Sequence, residues 1–128
     1  MNNIRKEINL HDPSIISQVW EKGLVIDGYN PNLYRQDFGG AWIAREEYGN
    51  VNSMLGWEID HVYPISKGGN DAFDNLRPMN WRNNRSKGDS FPDYIASVTS
   101  EENRNIEKEV KCRVNDSLLD KLNKLYNG

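Results

Sequence analysis

Within "GWEIDHVYPISKGGND", residues 56–71, His61 follows directly on an acid, Asp60, and is one of only two histidines in the chain. An imidazole suits the removal of a proton from water near neutral pH, because its ordinary pKa is about 6.5. Taken alone, His61 reads as a packed histidine at the end of a strand. Its company changes that reading: a Gly-Gly loop follows, then Asn75, then Asn84 with Lys87 three residues later. The other histidine, His11, stands far off in an N-terminal arm and reads as an ordinary surface residue. The lone Cys112 can supply neither an internal disulfide nor a multi-cysteine zinc site. A metal held by this chain therefore needs oxygen and nitrogen ligands.

The elements that must position these groups follow from periodicity and punctuation. "GWEID" alternates Trp57 and Ile59 with Glu58 and Asp60, the period of a half-buried strand, and Pro64 predicts its end near His61. "SKGGND" is a loop by composition, its glycines permitting positive φ. "NLRPM" predicts a second short strand antiparallel to the first, and "NWRNNRSKG" a short helix closed by Gly88. Neighbours in a regular strand point to opposite faces, so Asp60 and His61 can serve one site only if the strand bends or ends there.

Upstream, "DPSIISQVWEKG" predicts a helix with Asp12 at the N-cap, Pro13 in the first turn and Gly23 as the stop; Ile15, Ile16, Val19 and Trp20 share its core face. "YRQDFGGAWIAREEYGN" predicts a tight turn at Gly39-Gly40, followed by either a short strand or a helical turn. "YIASV" and "EVKCRV" predict a C-terminal strand pair. "NDSLLDKLNKLYNG" predicts an amphipathic helix, capped by Asn115 or Asp116, with Leu118, Leu119, Leu122 and Leu125 in one apolar stripe. That stripe can pack on its own domain or against a second subunit, so both monomer and homodimer are expected states.

Size and composition frame these elements. The chain has 128 residues, 37% hydrophobic and 27% charged, which suits one independently folding domain. No apolar run reaches the ~20 residues of a membrane span, and "MNNIRKEINLHD" lacks the apolar core of a leader peptide. An intracellular, cytoplasmic protein without a membrane partner is expected. The formal net charge is −3, yet between Lys67 and Lys87 five basic residues face two acids, a local excess that can engage phosphates or simply be solvated. There is no Walker A loop, dinucleotide fingerprint or Gly-x-Ser-x-Gly elbow, and a nucleobase deaminase would need cysteine ligands that are absent.

The stretch "IDHVYPISKGGNDAFDNLRPMNWRNNRSKGD" resembles the core motif of HNH endonucleases, in the H-N-N form, over about thirty residues. The resemblance implies an α+β fold: a small single domain, residues 1–128, around a ββα-metal hairpin-helix core at residues 56–89. An N-terminal helix and upstream segment (1–50) and a C-terminal β pair with its helix (90–128) would flank that core. It implies a metal-dependent endonuclease acting on DNA, with RNA left open, since a metal and a histidine base contact phosphate rather than sugar. His61 is then the general base, and Asn75 the family's middle residue, bracing the loop and orienting the histidine. Asp60 and Asn84 hold one divalent cation, Mg²⁺ or Mn²⁺ by donor hardness. Asn83 and Asn84 are neighbours about 100° apart on a helix; the Asn-x-x-Lys register selects Asn84, with Asn83 and, less so, Asn80 as alternatives. Lys67, Arg77, Arg82, Arg85 and Lys87 are the expected phosphate contacts, Arg85 and Lys87 foremost.

One departure from the family pattern is informative. Many HNH proteins carry cysteine pairs around the hairpin that hold a structural zinc, whereas here Trp42 and Tyr48 lie where the resemblance places such cysteines, in a segment that otherwise keeps Arg35, Asp37 and Gly49. No structural zinc is expected, and aromatic packing by Trp42, Tyr48 and Trp57 is expected in its place. The alternative to an enzyme is a non-catalytic module that binds nucleic acid or protein on the same scaffold.

Overall fold

In the computed structural model, which describes residues 8–127, the first helix, α1 (Pro13–Trp20), begins where expected. The Asp12 side chain accepts from Ser14 N at 2.9 Å and Pro13 opens the first turn. The helix closes at Glu21, not Gly23. Gly23 lies close to Arg35, where a Cβ would come within 3.1 Å of the Arg35 Cδ. The reading of the N-terminus as leaderless falls partly on residues outside those described.

Both alternatives left open by "YRQDFGGAWIAREEYGN" are realised in succession. Strands β1 (Tyr34–Gln36) and β2 (Trp42–Ala44) pair antiparallel, and a single 3₁₀ turn, Arg45–Glu47, follows. The central hairpin pairs β3 (Trp57–His61) with β4 (Leu76–Asn80), Trp57 opposite Asn80 and His61 opposite Leu76. Pro78 is tolerated inside β4 because a strand in a two-stranded sheet has a free edge that needs no N–H. Helix α2 (Trp81–Lys87) leaves β4 directly; Asn80 accepts from Arg82 N at 3.0 Å as its N-cap, and Gly88 closes it. The C-terminal pair, β5 (Asp93–Glu101) and β6 (Arg104–Arg113), is longer than its hydrophobic runs suggest. Helix α3 (Asp116–Tyr126), capped by Asn115, ends the fold. The protein is thus a small α+β domain with three helices and short antiparallel strand pairs.

Two apolar clusters hold these pieces. Val19 and Trp20 of α1 pack with Ile43, Trp57 and Leu76, tying α1 and the first hairpin to the central one. Leu122 packs with Val62 and Val114, and Leu118 and Leu119 join them, so most of the α3 stripe is used within its own domain. Leu125 is left 49% exposed. The aromatic arrangement differs in part from expectation. Trp57 packs, tilted, between Tyr48 at 4.8 Å and Trp20 at 5.4 Å between centroids, whereas Trp42 belongs to a separate group with Tyr29 and Tyr34.

The loop between β3 and β4 depends on two glycines for different reasons. Gly68 has φ +104°, a left-handed conformation that closes a 3₁₀ turn over Ile65–Lys67. Gly69 is required by space: a Cβ there would sit 1.9 Å from the carbonyl oxygen of Tyr63. Gly69→Ala is therefore expected to cost about 1–3 kcal/mol, the usual penalty for overpacking, read as a lower urea midpoint. An unchanged midpoint would contradict the tight approach.

Candidate active site

β3 ends at His61, and the alternation of the strand sends its last two side chains to different partners. His61 Nε2 lies 2.7 Å from Oδ1 of Asp71, across the glycine loop. Asp60 is 3% exposed and reaches instead toward two buried cations: its Oδ1 is 3.2 Å from Nζ of Lys87 on α2, and its Oδ2 is 3.3 Å from Nε of Arg77 on β4. Lys87 Nζ also donates to the carbonyl of His61 at 3.2 Å, joining the helix to the strand end. Burial pulls the Lys87 amine below the ordinary lysine pKa, and the Asp60 carboxylate opposes that pull. The Arg77 guanidinium lies 5.2 Å from the Phe38 ring and 5.3 Å from the Tyr94 ring, while its Nη2 is buried without a hydrogen-bond partner among the described residues.

Asn75 is fully buried in a 3₁₀ turn, Phe73–Asn75, immediately before β4. Its Oδ1 accepts from Tyr63 N at 2.7 Å, and its Nδ2 donates to the carbonyls of Tyr63 and Asn70, each at 3.0 Å. These bonds clamp the two ends of the loop together. Lys22 supports the same turn from below, donating to the carbonyls of Phe73 and Leu76; burial brings its pKa down to about 8.

Asn83 and Asn84 separate as helical geometry requires. Asn83 is fully buried, donating to Oδ2 of Asp37 and the Val98 carbonyl and accepting from Ser97 N and Val98 N. Its hydrogen-bonding capacity is spent on holding α2 to β5. Asn84 has one such contact, donating to Oε1 of Glu58 at 3.2 Å. Asp60, His61 and Asn84 line one open cleft of about 230 Å³, whose wall also includes Ser66 and Asp89. A second cleft of about 360 Å³ shares Ile59 and Asn84 with the first and is lined by Tyr48, Glu58 and His11. Leu10 and His11 thus reach this cleft, and His11 lies near the site rather than far from it.

The position of Asn84 rests on Asp37, which the sequence marks only as part of the upstream segment. Its Oδ1 accepts from Gly39 N and Ala41 N, and its Oδ2 from Asn80 N and Asn83 Nδ2, at 2.9–3.1 Å. Burial raises the Asp37 pKa above the usual carboxylate range and these four donors oppose the rise. One buried carboxylate thus joins the first hairpin to the start of α2.

The site thus comprises a strand that ends in His61, a glycine loop clamped by Asn75, and Asn84 lining the same cleft as the histidine. Residues 48–93 match the HNH endonuclease family. No curated protein and no solved structure matches the chain. The HNH segment spans just over a third of the sequence and includes β3, the glycine loop, β4 and α2.

Within the HNH segment the basic residues divide. Arg77 and Lys87, expected at phosphates, are 3% and 1% exposed, with their charges turned toward Asp60. They are internal counter-ions of a carboxylate, so the expectation of surface contact is corrected for both. Arg85 is 58% exposed at its side chain, stacks on Trp81 and lies 3.5 Å from Glu58. Arg82 pairs with Glu107 at 2.7 Å on the surface, and Lys67 is exposed on the loop. Asp71 and Glu58, which hold His61 and Asn84, carry no signal in the sequence beyond being polar residues of a loop and a strand face.

Among the described residues no group of three or more His, Cys, Asp or Glu side chains converges as a metal cage. Asp60 and Asn84 both line the open cleft, but the Asp60 carboxylate is turned onto Lys87 and Arg77. A hydrated cation of the magnesium type, which needs only one or two protein oxygens and keeps its waters, would take the Asn84 amide oxygen together with an Asp60 oxygen released from one of these partners.

Proposed function

We propose that the cleft of His61 is the active site of a metal-dependent endonuclease that hydrolyses DNA phosphodiester bonds. The observation that carries this reading is that Asp60, His61 and Asn84 all line one cleft at the end of the hairpin that the HNH match includes. His61 takes a proton from the water that attacks phosphorus. Asp60 and Asn84 would hold one divalent cation, Mg²⁺ or Mn²⁺, which when bound offsets charge on the phosphorane and on the leaving 3′-oxygen. Asn75 keeps the loop closed so that the strand end and its histidine stay in place. Arg85 and Lys67 are the exposed cations that can meet the phosphates on either side, with Arg82 available if it leaves Glu107.

The ends of the product test the reaction. Cleavage of a labelled duplex should leave 5′-phosphate and 3′-hydroxyl termini that can be religated, whereas 3′-phosphate termini would contradict attack with loss of the 3′-oxygen. Aromatic packing in place of a structural zinc is checked by metal analysis of the purified protein. Trace zinc is the expected result, and one tightly held equivalent would contradict it.

A second reading draws on the engagement of Asp60 by Lys87 and Arg77, which leaves that carboxylate already neutralised. A binding module on the HNH scaffold would need no more than this. The retention of His61 and Asn84 on an open cleft favours the enzyme.

A further inference from the structure

The carboxylate nearest to His61 is not its chain neighbour Asp60 but Asp71, ten residues on, at the far side of the glycine loop. At 2.7 Å between Nε2 and Oδ1, with the Asp71 side chain 46% exposed and the His61 side chain 19%, this is a short contact between two groups that water could have served separately. A carboxylate can only accept, so Nε2 is the donor in this bond, which leaves Nδ1 as the ring nitrogen able to take a proton.

Asp71 is itself fixed from both sides. The preceding Asn70 gives its carbonyl to Nδ2 of the buried Asn75 at 3.0 Å. Its Oδ1 accepts from Ala72 N at 3.1 Å and from the Tyr126 hydroxyl at 2.6 Å. The Tyr126 ring stacks on Tyr63 with centroids 4.8 Å apart and planes at 14°. The C-terminal helix therefore reaches across to hold the loop segment that carries Asp71.

We propose that Asp71 is the positioning residue of His61, fixing the ring so that Nδ1 faces the attacking water. This inference rests on the nuclease reading and deepens it. In the chemical step Nδ1 takes a proton from water as the water oxygen bonds to phosphorus and the bond from phosphorus to the 3′-oxygen breaks, the electron pair leaving with that oxygen. The ring then carries a proton on each nitrogen, and the negative Asp71 carboxylate faces the positive imidazolium as it forms, as expected for an acid that orients a general base.

The test uses the full chain and two readouts. With only two histidines present, His11→Ala assigns the ring N–H signals by nitrogen-15 NMR. Wild type should show a low-field, slowly exchanging Nε2–H resonance for His61 that disappears in Asp71→Ala. In cleavage assays Asp71→Ala should lower kcat by about 10–100-fold, with KM changed by less than about twofold. Asp71→Glu, which keeps the acceptor, should recover part of both signals. The half-exposed site makes an unfolded variant an unsuitable explanation, and an unchanged urea midpoint checks this. Unaltered kcat in Asp71→Ala, or a His61 resonance indifferent to the substitution in a wild type that cleaves, overturns the positioning role alone. A wild type that holds the resonance yet cleaves no nucleic acid overturns the nuclease reading and this role with it.

Discussion

Asp60→Ala is expected to lower the unfolding free energy by about 3–5 kcal/mol, the usual cost of leaving a buried charge without its partner. The Asp60, Lys87 and Arg77 side chains are 3%, 0% and 4% exposed, and both carboxylate oxygens lie within 3.3 Å of a cationic nitrogen. Removing the acid leaves two buried positive charges with no anion between them. Lys87→Met should be milder, because Arg77 still neutralises Asp60 and the methionine fills much of the vacated space. The double variant Asp60→Ala/Lys87→Met should regain part of the loss, and urea unfolding of all four proteins gives the coupling between the two residues. Additive effects would contradict a shared buried ion pair. The consequence for function is practical: an inactive Asp60 variant does not by itself identify a metal ligand, since the fold suffers too. Asn84→Ala asks the same question more cleanly, because among the described residues the side chain has one hydrogen bond, to Glu58. Its expected stability change is within about 1.5 kcal/mol, the net worth of one hydrogen bond.

His61→Ala has the largest expected effect on activity, a fall in cleavage rate of roughly 10²–10⁴-fold, the range attributed to general-base catalysis. Stability should change little, because the imidazole has one side-chain hydrogen bond, to a partly exposed acid, and lies outside both apolar clusters. KM should also hold, since phosphate contacts fall to residues such as Arg85 and Lys67 rather than to the base. A single-turnover time course with excess enzyme separates the chemical step from binding. A rate close to that of wild type would remove His61 from the mechanism.

Much of the site was legible because local chemistry and global fold agree there. The period-two pattern of Trp57 and Ile59 against Glu58 and Asp60 marks β3 to within a residue, and Gly88 marks the end of α2, whereas the N-cap role of Asn80 appears only in the structure. The register of the resemblance selects Asn84 over Asn83, and in the structure Asn83 is engaged by Asp37 and β5 while Asn84 lines the cleft. Other features depend on contacts between distant residues. Arg77 and Lys87 look like surface cations in a basic stretch; the register of β3 with β4 sets Arg77 opposite Asp60, and the packing of α2 on β3 brings Lys87 to the same carboxylate. The length of β5 and β6 is hidden because "TSEENRNIE" is polar, its strand geometry coming from pairing and from the Asn105 side chain, which bonds to both N and O of Trp42. Asp71 reads as one more loop acid until the glycine turn brings it against His61. His11 appears remote for the same reason, its place on one cleft with Glu58 and Asn84 being set by the fold.

Nicking of supercoiled plasmid by the purified chain, with Mg²⁺ and then with excess EDTA, tests the central claim most directly. Metal-dependent conversion to open-circular and linear forms, abolished by the chelator and restored by added Mg²⁺ or Mn²⁺, is the expected result. No cleavage with either metal, or cleavage undiminished by EDTA, would contradict it.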